Sequence, residues 1–281
     1  MLGAEPVVVL LSKAGGAYEE VAAALRSELR GETVTVELLA DADKLNAKRP
    51  RAVAAIGTEA CRTAAQAKLG VPLLCALIPH IAFDAIARSA KAPALSAVVL
   101  DQPLSRQMSL IRLLLPDARA VGVIFGPDSA SLRDSIGDAA LKRGMQVRGV
   151  HVADSAVLFP ALKAVLDTDV LLAVPDGAVY NGATAQNVLR TAFEARVPLV
   201  AFSASYVRAG ALAAVYSTPA QVGSQAGRSL AAVLNGTQIR QIQWPSEFEV
   251  SVNDQVARAL GLDLEEAGRI TERLRTLELA R

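Results

Sequence analysis

Side chains that do chemistry are scarce in this chain: 281 residues carry only two histidines and two cysteines. His80 follows Pro79 where a strand is expected to end, so it can reach a ligand, and His151 falls inside a predicted strand. Neither has partners at the spacing of a triad or a metal site, and a lone histidine more often plays a structural part. No G-x-G-x-x-G follows a strand, and Walker A loops, G-x-S-x-G elbows and H-E-x-x-H helices are missing too. These absences argue against an enzyme, and no cofactor or metal is expected. A formal net charge of +1 with no basic block leaves no electrostatic footing for nucleic acid. The longest apolar runs, 95–100 and 170–174, are strand length and far short of a membrane span. Cys61 and Cys75, on a predicted helix and the strand after it, lack metal or redox spacing and read as two buried free thiols. A disulfide between them requires a geometry that spacing does not supply.

What the chain has in abundance is apolar surface to bury, with 52% hydrophobic and 20% charged residues. Its length suits two α/β lobes, each with its own core. One strand order is written twice. The first half reads Val7–Leu11, 33–38, Ala52–Ile56 and 72–76, and the second repeats it as 121–125, 146–152, 169–174 and 198–202. Even the approach to the fourth strand recurs, as Val71-Pro72-Leu73 and Val197-Pro198-Leu199. Runs such as Val-Val-Val-Leu-Leu from Val7 are those of parallel strands buried on both faces. The intervening segments 18–29 and 131–142 have helical spacing.

The fold class expected is therefore α/β, with two similar doubly wound parallel-sheet lobes joined by crossover strands. The expected division is 1–101 with 218–240 for lobe one, and 102–217 with 241–281 for lobe two. Thr218-Pro219 opens a long helix to Leu234, with threonine as N-cap and proline at the first position. A strand pair at 239–244 and 248–252 follows and is assigned, with the charged tail, to lobe two. Trp244 is expected to pack beneath that tail. The chain enters its first strand at once, leaving no room for a charged and then apolar leader. Either the protein is cytosolic or an export signal has been removed.

Ligands of open parallel sheets bind beyond the carboxyl ends of the strands, and there the small polar residues gather. Ser12 with Gly15 and Gly16 follows the first strand, and Gly57-Thr58 the third. Gly126-Pro127-Asp128-Ser129, Pro175-Asp176, and Ser203 with Ser205 take the equivalent places in the second half. Helix capping explains any one of them; together they read as exposed ligand contacts around a small molecule held between two lobes. All four tyrosines, Tyr18, Tyr180, Tyr206 and Tyr216, fall near these turns or the second crossing in a chain only 4% aromatic. They are read as flat faces for a ligand, although packing accounts for them as well.

The run Pro175-Asp176-Gly177-Ala178-Val179-Tyr180-Asn181, then Arg196-Val197-Pro198-Leu199-Val200-Ala201-Phe202-Ser203, then Ala209-Gly210-Ala211-Leu212-Ala213, closely resembles ABC transporter substrate-binding proteins of the tryptophan/tyrosine-binding type. Tyr216-Ser217-Thr218-Pro219, Gly223-Ser224-Gln225-Ala226, Gly57-Thr58, Gln107-Met108 and Leu114-Leu115-Pro116 extend the resemblance to most of the chain. It implies a type I periplasmic binding-protein fold, with ligand contacts at Ser12, Gly57, Thr58, Ser129, Asp176 and Ser203. Tyr18, Tyr180 and Tyr206 complete the candidate set. Departures occur at Ser129 and Ser131, where many relatives carry an acidic residue and an asparagine, and at Ala76-Leu77-Ile78-Pro79-His80, where a small polar run is expected. The resemblance implies a periplasmic, monomeric solute receptor of an ABC importer. Its ligand would be an amino acid, small carboxylate or aromatic metabolite, its partner a permease, and its hinge near Asp101, Tyr216 and Arg240. The competing reading is a ligand-sensing module that signals through a protein partner.

Overall fold

The computed structural model describes residues 5–90 and 94–279. Two compact units are present: unit one comprises Met1–Asp101 and Ser217–Phe248, unit two Gln102–Tyr216 and Glu249–Arg281. Unit one begins β1 (Val7–Leu11), α1 (Gly16–Glu28), β2 (Val34–Leu38), β3 (Ala52–Ile56), α2 (Thr58–Gln66), β4 (Leu73–Ile78), α3 (His80–Ser89) and β5 (Leu95–Val99). Unit two continues with α4 (Leu104–Leu114), β6 (Ala120–Phe125), α5 (Arg133–Leu141), β7 (Gln146–His151), α6 (Leu158–Lys163), β8 (Val170–Leu172), α7 (Ala185–Glu194), β9 (Leu199–Ala201), α8 (Ala204–Ala209) and β10 (Ala213–Tyr216). The chain then returns to unit one for α9 (Pro219–Leu234) and β11 (Ile242–Gln243), and ends in unit two with β12 (Glu249–Val252), α10 (Asp254–Leu260) and α11 (Ala267–Leu279).

The sheets have the same internal plan. The first runs β11-β5-β4-β3-β1-β2, all parallel, and the second β12-β10-β9-β8-β6-β7, parallel except for β12. In each, the direction of winding reverses between the first and third strands of the lobe, β1 and β3 or β6 and β8, which leaves a crevice at their carboxyl ends. The central strands are apolar throughout because helices cover both faces: every residue of β1 and β3 is buried.

Helix α9 seats against α1 through two glycines four residues apart. A Cβ on Gly223 would stand 2.4 Å from the carbonyl oxygen of Val21, and one on Gly227 2.6 Å from that of Leu25. Only hydrogen at those positions admits so close an approach. The start of α9 is as the sequence indicates: Thr218 Oγ1 accepts the Gln221 N–H at 3.2 Å, and Gln221 Oε1 accepts the Thr218 N–H at 2.9 Å. In unit two, α11 is tied to α4 by the buried Arg106. Its guanidinium donates to both Glu278 carboxylate oxygens, at 2.6 and 2.8 Å, and to Gln102 Oε1 at 2.6 Å.

Three expectations are corrected. Segments 239–244 and 248–252 are not a strand pair: β11 joins β5 in the first sheet and β12 joins β10 in the second. Residues 241–248 therefore pack with unit one rather than with the tail, since a two-residue strand is stable only against an existing sheet edge. Cys61 and Cys75 are not free thiols. They form a disulfide with Cα atoms 5.5 Å apart, because α2 packs over β4 in the apolar core that holds both residues.

Candidate functional site

In unit one the crevice between β1 and β3 collects Ser12, Tyr18, Gly57 and Thr58. Ser12 leaves β1 with its N–H bonded to the Ile56 carbonyl at 3.0 Å, and its Oγ accepts the Ala60 N–H at 2.9 Å. The hydroxyl thus caps α2, whose own N-cap is Gly57 and has no side chain to do so. Gly57 holds φ at +94°, and a Cβ there would come within 2.6 Å of Ser12 Oγ and 2.7 Å of Tyr18 Cε1. The first turn of α1 therefore lays the Tyr18 ring directly on the Gly57 backbone. Ser12, Tyr18 and Thr58 remain partly accessible around it.

The neighbouring strand end is built differently. The pairing of β4 with β5 shifts register between Ala76 and Ile78, where Leu77 takes a left-handed φ of +55°, a bulge of the kind that re-aims a strand end. After Pro79 the chain enters α3. Here Asp101, from the end of the β5 segment, accepts the His80 N–H at 2.6 Å. Burial raises the Asp101 carboxyl above its ordinary value, against the opposing effect of that hydrogen bond. His80 Nε2 stands 3.4 Å from Asp84 Oδ2, and the imidazole lies against Trp244, with ring centroids 5.0 Å apart. Trp244 is 41% exposed. The expectation that it packs under the tail fails because β11 carries it to the first sheet, while the tail belongs to the other unit.

In unit two the crevice between β6 and β8 is braced internally. Asp176 Oδ2 accepts the Ser129 N–H at 2.9 Å and its hydroxyl at 2.8 Å, and Oδ1 accepts the Ala178 N–H at 2.9 Å. Ser129 Oγ in turn accepts the Gly126 N–H at 3.0 Å, while Asp128 Oδ2 accepts that of Gly177 at 3.0 Å. Both Ser129 and Asp176 are buried, and a Cβ on Gly126 would overlap the Asp176 carboxylate at 2.1 Å. Ser129 and Asp176, anticipated as exposed, are buried and clamp two turns together. A carboxylate denied water takes up whatever donors are in reach, and here two come from Ser129 in the facing loop and one from Ala178 in its own turn.

Tyr180 is likewise held within its own unit. Its side chain is buried in the unit-two core, edge-on to Phe202 and Tyr206 with centroids 6.2 Å away in each case, and burial drives its hydroxyl pKa upward. Tyr206 closes the cluster, 4.8 Å from Phe202, with its hydroxyl donating to the Tyr180 carbonyl at 3.0 Å. It is only partly buried. Ser203, at the start of α8, shares a 2.8 Å hydrogen bond with the exposed Ser205. Tyr216 bonds Ser251 at 2.8 Å and fastens β10 to β12.

Each unit thus offers a partly open set of its own: Ser12, Tyr18 and Thr58 in one, Ser203 and Tyr206 in the other. Sequence reasoning overlooked Trp244 as a surface residue. Its one signal was the Trp-Pro pair directly after a strand, which does not reveal the sheet that strand joins. A groove of about 460 Å³ also opens at the opposite edge of the first sheet, between Pro72, Leu95, Ser96 and Gly236, remote from these turns. Among the described residues no three His, Cys, Asp or Glu are grouped to hold a metal ion, and no helix is long and apolar enough to cross a membrane.

The doubly wound plan has counterparts in known proteins. A tyrosine-binding protein of Clostridioides difficile (strain R20291) is 23% identical over 229 residues, 79% of this chain and 66% of that protein's length. The ABC domain from Streptococcus pneumonia solved in complex with L-Trp superposes with a TM-score of 0.67 at 18% identity, covering 95% of this chain and 97% of that one. The ligand-free, open structure of a substrate binding protein with adhesive properties from Clostridium difficile gives 0.74 at 18% identity, covering 93% and 96%. These likenesses establish the periplasmic binding protein type I-like fold. The model of the ABC transporter substrate binding protein family matches residues 20–270, and the chain belongs to that family, one of substrate-binding proteins rather than enzymes.

Proposed function

We propose that the protein is the extracytoplasmic receptor of an ABC importer, capturing an amino acid at its strand-end turns and presenting it to a permease. The observation that carries this reading is the matched pair of crevices. Each lies where strand order reverses; on unit one the crevice itself keeps Ser12, Thr58 and Tyr18 partly open, and on unit two Ser203 and Tyr206 stay partly open at the carboxyl end of the neighbouring β9. Hydroxyls orient the polar end of a small ligand and the rings take its apolar part. The family is one of substrate-binding proteins, and the work proposed here is binding. The ligand favours whichever arrangement of the units it binds better, and that difference in affinity is all it can contribute.

Two further facts support the reading. Two of the proteins named above are described as a tyrosine-binding protein and as a domain in complex with L-Trp, which makes an amino acid with an aromatic side chain the first choice. The Cys61–Cys75 bond suits an oxidising compartment outside the cytoplasm. The test is calorimetry of the purified protein against L-tyrosine, L-tryptophan, L-phenylalanine and L-alanine, repeated with Thr58→Ala and Tyr206→Ala. At least one aromatic amino acid is expected to bind at micromolar or better affinity, and each variant to weaken it about tenfold. A protein that binds none of the four would overturn the amino-acid reading.

A further inference from the structure

We infer that Trp244, held against His80, is the aromatic wall of unit one's ligand-binding face and receives the ligand's planar ring; this deepens the amino-acid reading and rests on it. The argument begins with position. β11 is the outermost strand of its sheet, beyond β5, yet the Trp244 ring reaches His80 at the end of β4. The ring therefore lies across the carboxyl end of β5, beside the turn after β3 that carries Gly57 and Thr58, since β3 and β4 are neighbours.

Rigidity is the second step. The Trp244 carbonyl accepts from Gln225 Nε2 at 3.0 Å, and Gln225 Oε1 accepts the Ser246 N–H at 2.8 Å, so α9 grips the loop on both sides of Pro245. Behind the ring, His80 is fixed by the bond from its own N–H to Asp101 and by Asp84 beside its imidazole. A tryptophan at 41% exposure holds a large apolar face toward water. Fixing such a face in advance removes ordering costs that binding would otherwise meet.

The alternative aromatic walls are weaker. Tyr180 is buried and faces Phe202 and Tyr206, while Tyr18 lies on the backbone of Gly57. The polar departure at Ala76-Leu77-Ile78-Pro79-His80 fits the same picture: the bulge at Leu77 precedes an imidazole that supports a ring, where a hydroxyl or amide would serve only as a hydrogen-bonding contact.

Trp244 is the sole tryptophan of the chain, so its fluorescence reports this ring alone. L-Tyrosine is titrated into the intact protein, with excitation beyond tyrosine absorption, and its affinity is measured by calorimetry for the parent, Trp244→Phe, Trp244→Ala and His80→Ala. The expected result is a saturable change in Trp244 emission with the calorimetric dissociation constant. Trp244→Ala should lose about tenfold in affinity, Trp244→Phe less, and His80→Ala an intermediate amount. Urea midpoints close to the parent's would show that the variants remain folded. Full L-tyrosine affinity in Trp244→Ala, with or without an emission change in the parent, would overturn the inference and leave the receptor reading standing. Failure of that reading would show as no heat of binding at all.

Discussion

Asp176 shows how far a side chain's role depends on which way it points. Read along the sequence it is an acidic residue in a strand-end turn; in the fold it is buried, and its carboxylate accepts three hydrogen bonds, from Ser129 N, Ser129 Oγ and Ala178 N. Asp176→Ala leaves these donors unmade in a dry site and should cost on the order of 2–3 kcal/mol, seen as a lower urea midpoint, with Asp176→Asn less affected. An unchanged midpoint with lost ligand affinity would make Asp176 a ligand contact rather than a structural clamp. Asp101 yields a prediction in pH. Burial raises its folded-state value above the ordinary 3.8, so the folded protein holds the proton more tightly than the unfolded chain. That contribution is complete below 3.8 and is lost as pH rises through the folded value. Asp101→Asn keeps an acceptor for the His80 N–H and cannot ionise. Its stability relative to the parent should therefore rise between acid and neutral pH, and urea midpoints measured across that range would check it; a difference independent of pH would show that the carboxyl is not perturbed.

Among the elements, α2 is held at two points in its first half. Ser12 caps its start from the turn after β1, and the Cys61–Cys75 bond pins its body to β4. The bridge spans a separation of 14 residues, for which the entropic gain is about 3 kcal/mol. A Cys61→Ala/Cys75→Ala protein should be destabilised by roughly that amount in urea while keeping its far-UV spectrum. An equal midpoint would mean that the core around the two buried sulfurs already holds α2 in place. Helix α9 has the opposite kind of constraint, since it fits α1 by what Gly223 and Gly227 lack rather than by a cross-link. Its cap was evident from Thr218 and Pro219, and the structure adds Gln221, because all the groups involved lie within four residues.

The whole molecule divides into two units of similar size, connected where the chain passes Asp101, Ser217 and Phe248. If one amino acid engages both crevices, saturating L-tyrosine should reduce the radius of gyration measured by solution X-ray scattering and leave the far-UV spectrum unchanged, as rigid bodies closing on a hinge require. Superimposable scattering with and without bound ligand would exclude closure. Gly57 and Gly126 belong to this level as well. Each keeps a crevice narrow enough for backbone to meet side chain, Gly57 against Ser12 and Tyr18 and Gly126 against Asp176, so the two units solve one problem with unrelated residues.

Strand positions, their repeated order and the capped start of α9 were legible in the sequence because they follow from short-range rules. A run such as Val7–Leu11 or Ala52–Ile56 is buried on both faces and needs no distant partner to be recognised. The contents of the site were only partly legible. Ser12, Gly57 and Thr58 do converge, since adjacent parallel strands must end together. The roles of Ser129 and Asp176 depended on a bond between residues 47 apart, Tyr180 on the packing of Phe202 and Tyr206 around it, and Cys61 on the seating of α2 over β4. Most dependent on the fold was the end of the chain, where two short strands separated by five residues enter different sheets. Strands of two and four residues have too little pattern to specify a partner, so the sheet edges left open by β5 and β10 chose for them, and in doing so brought Trp244 to His80.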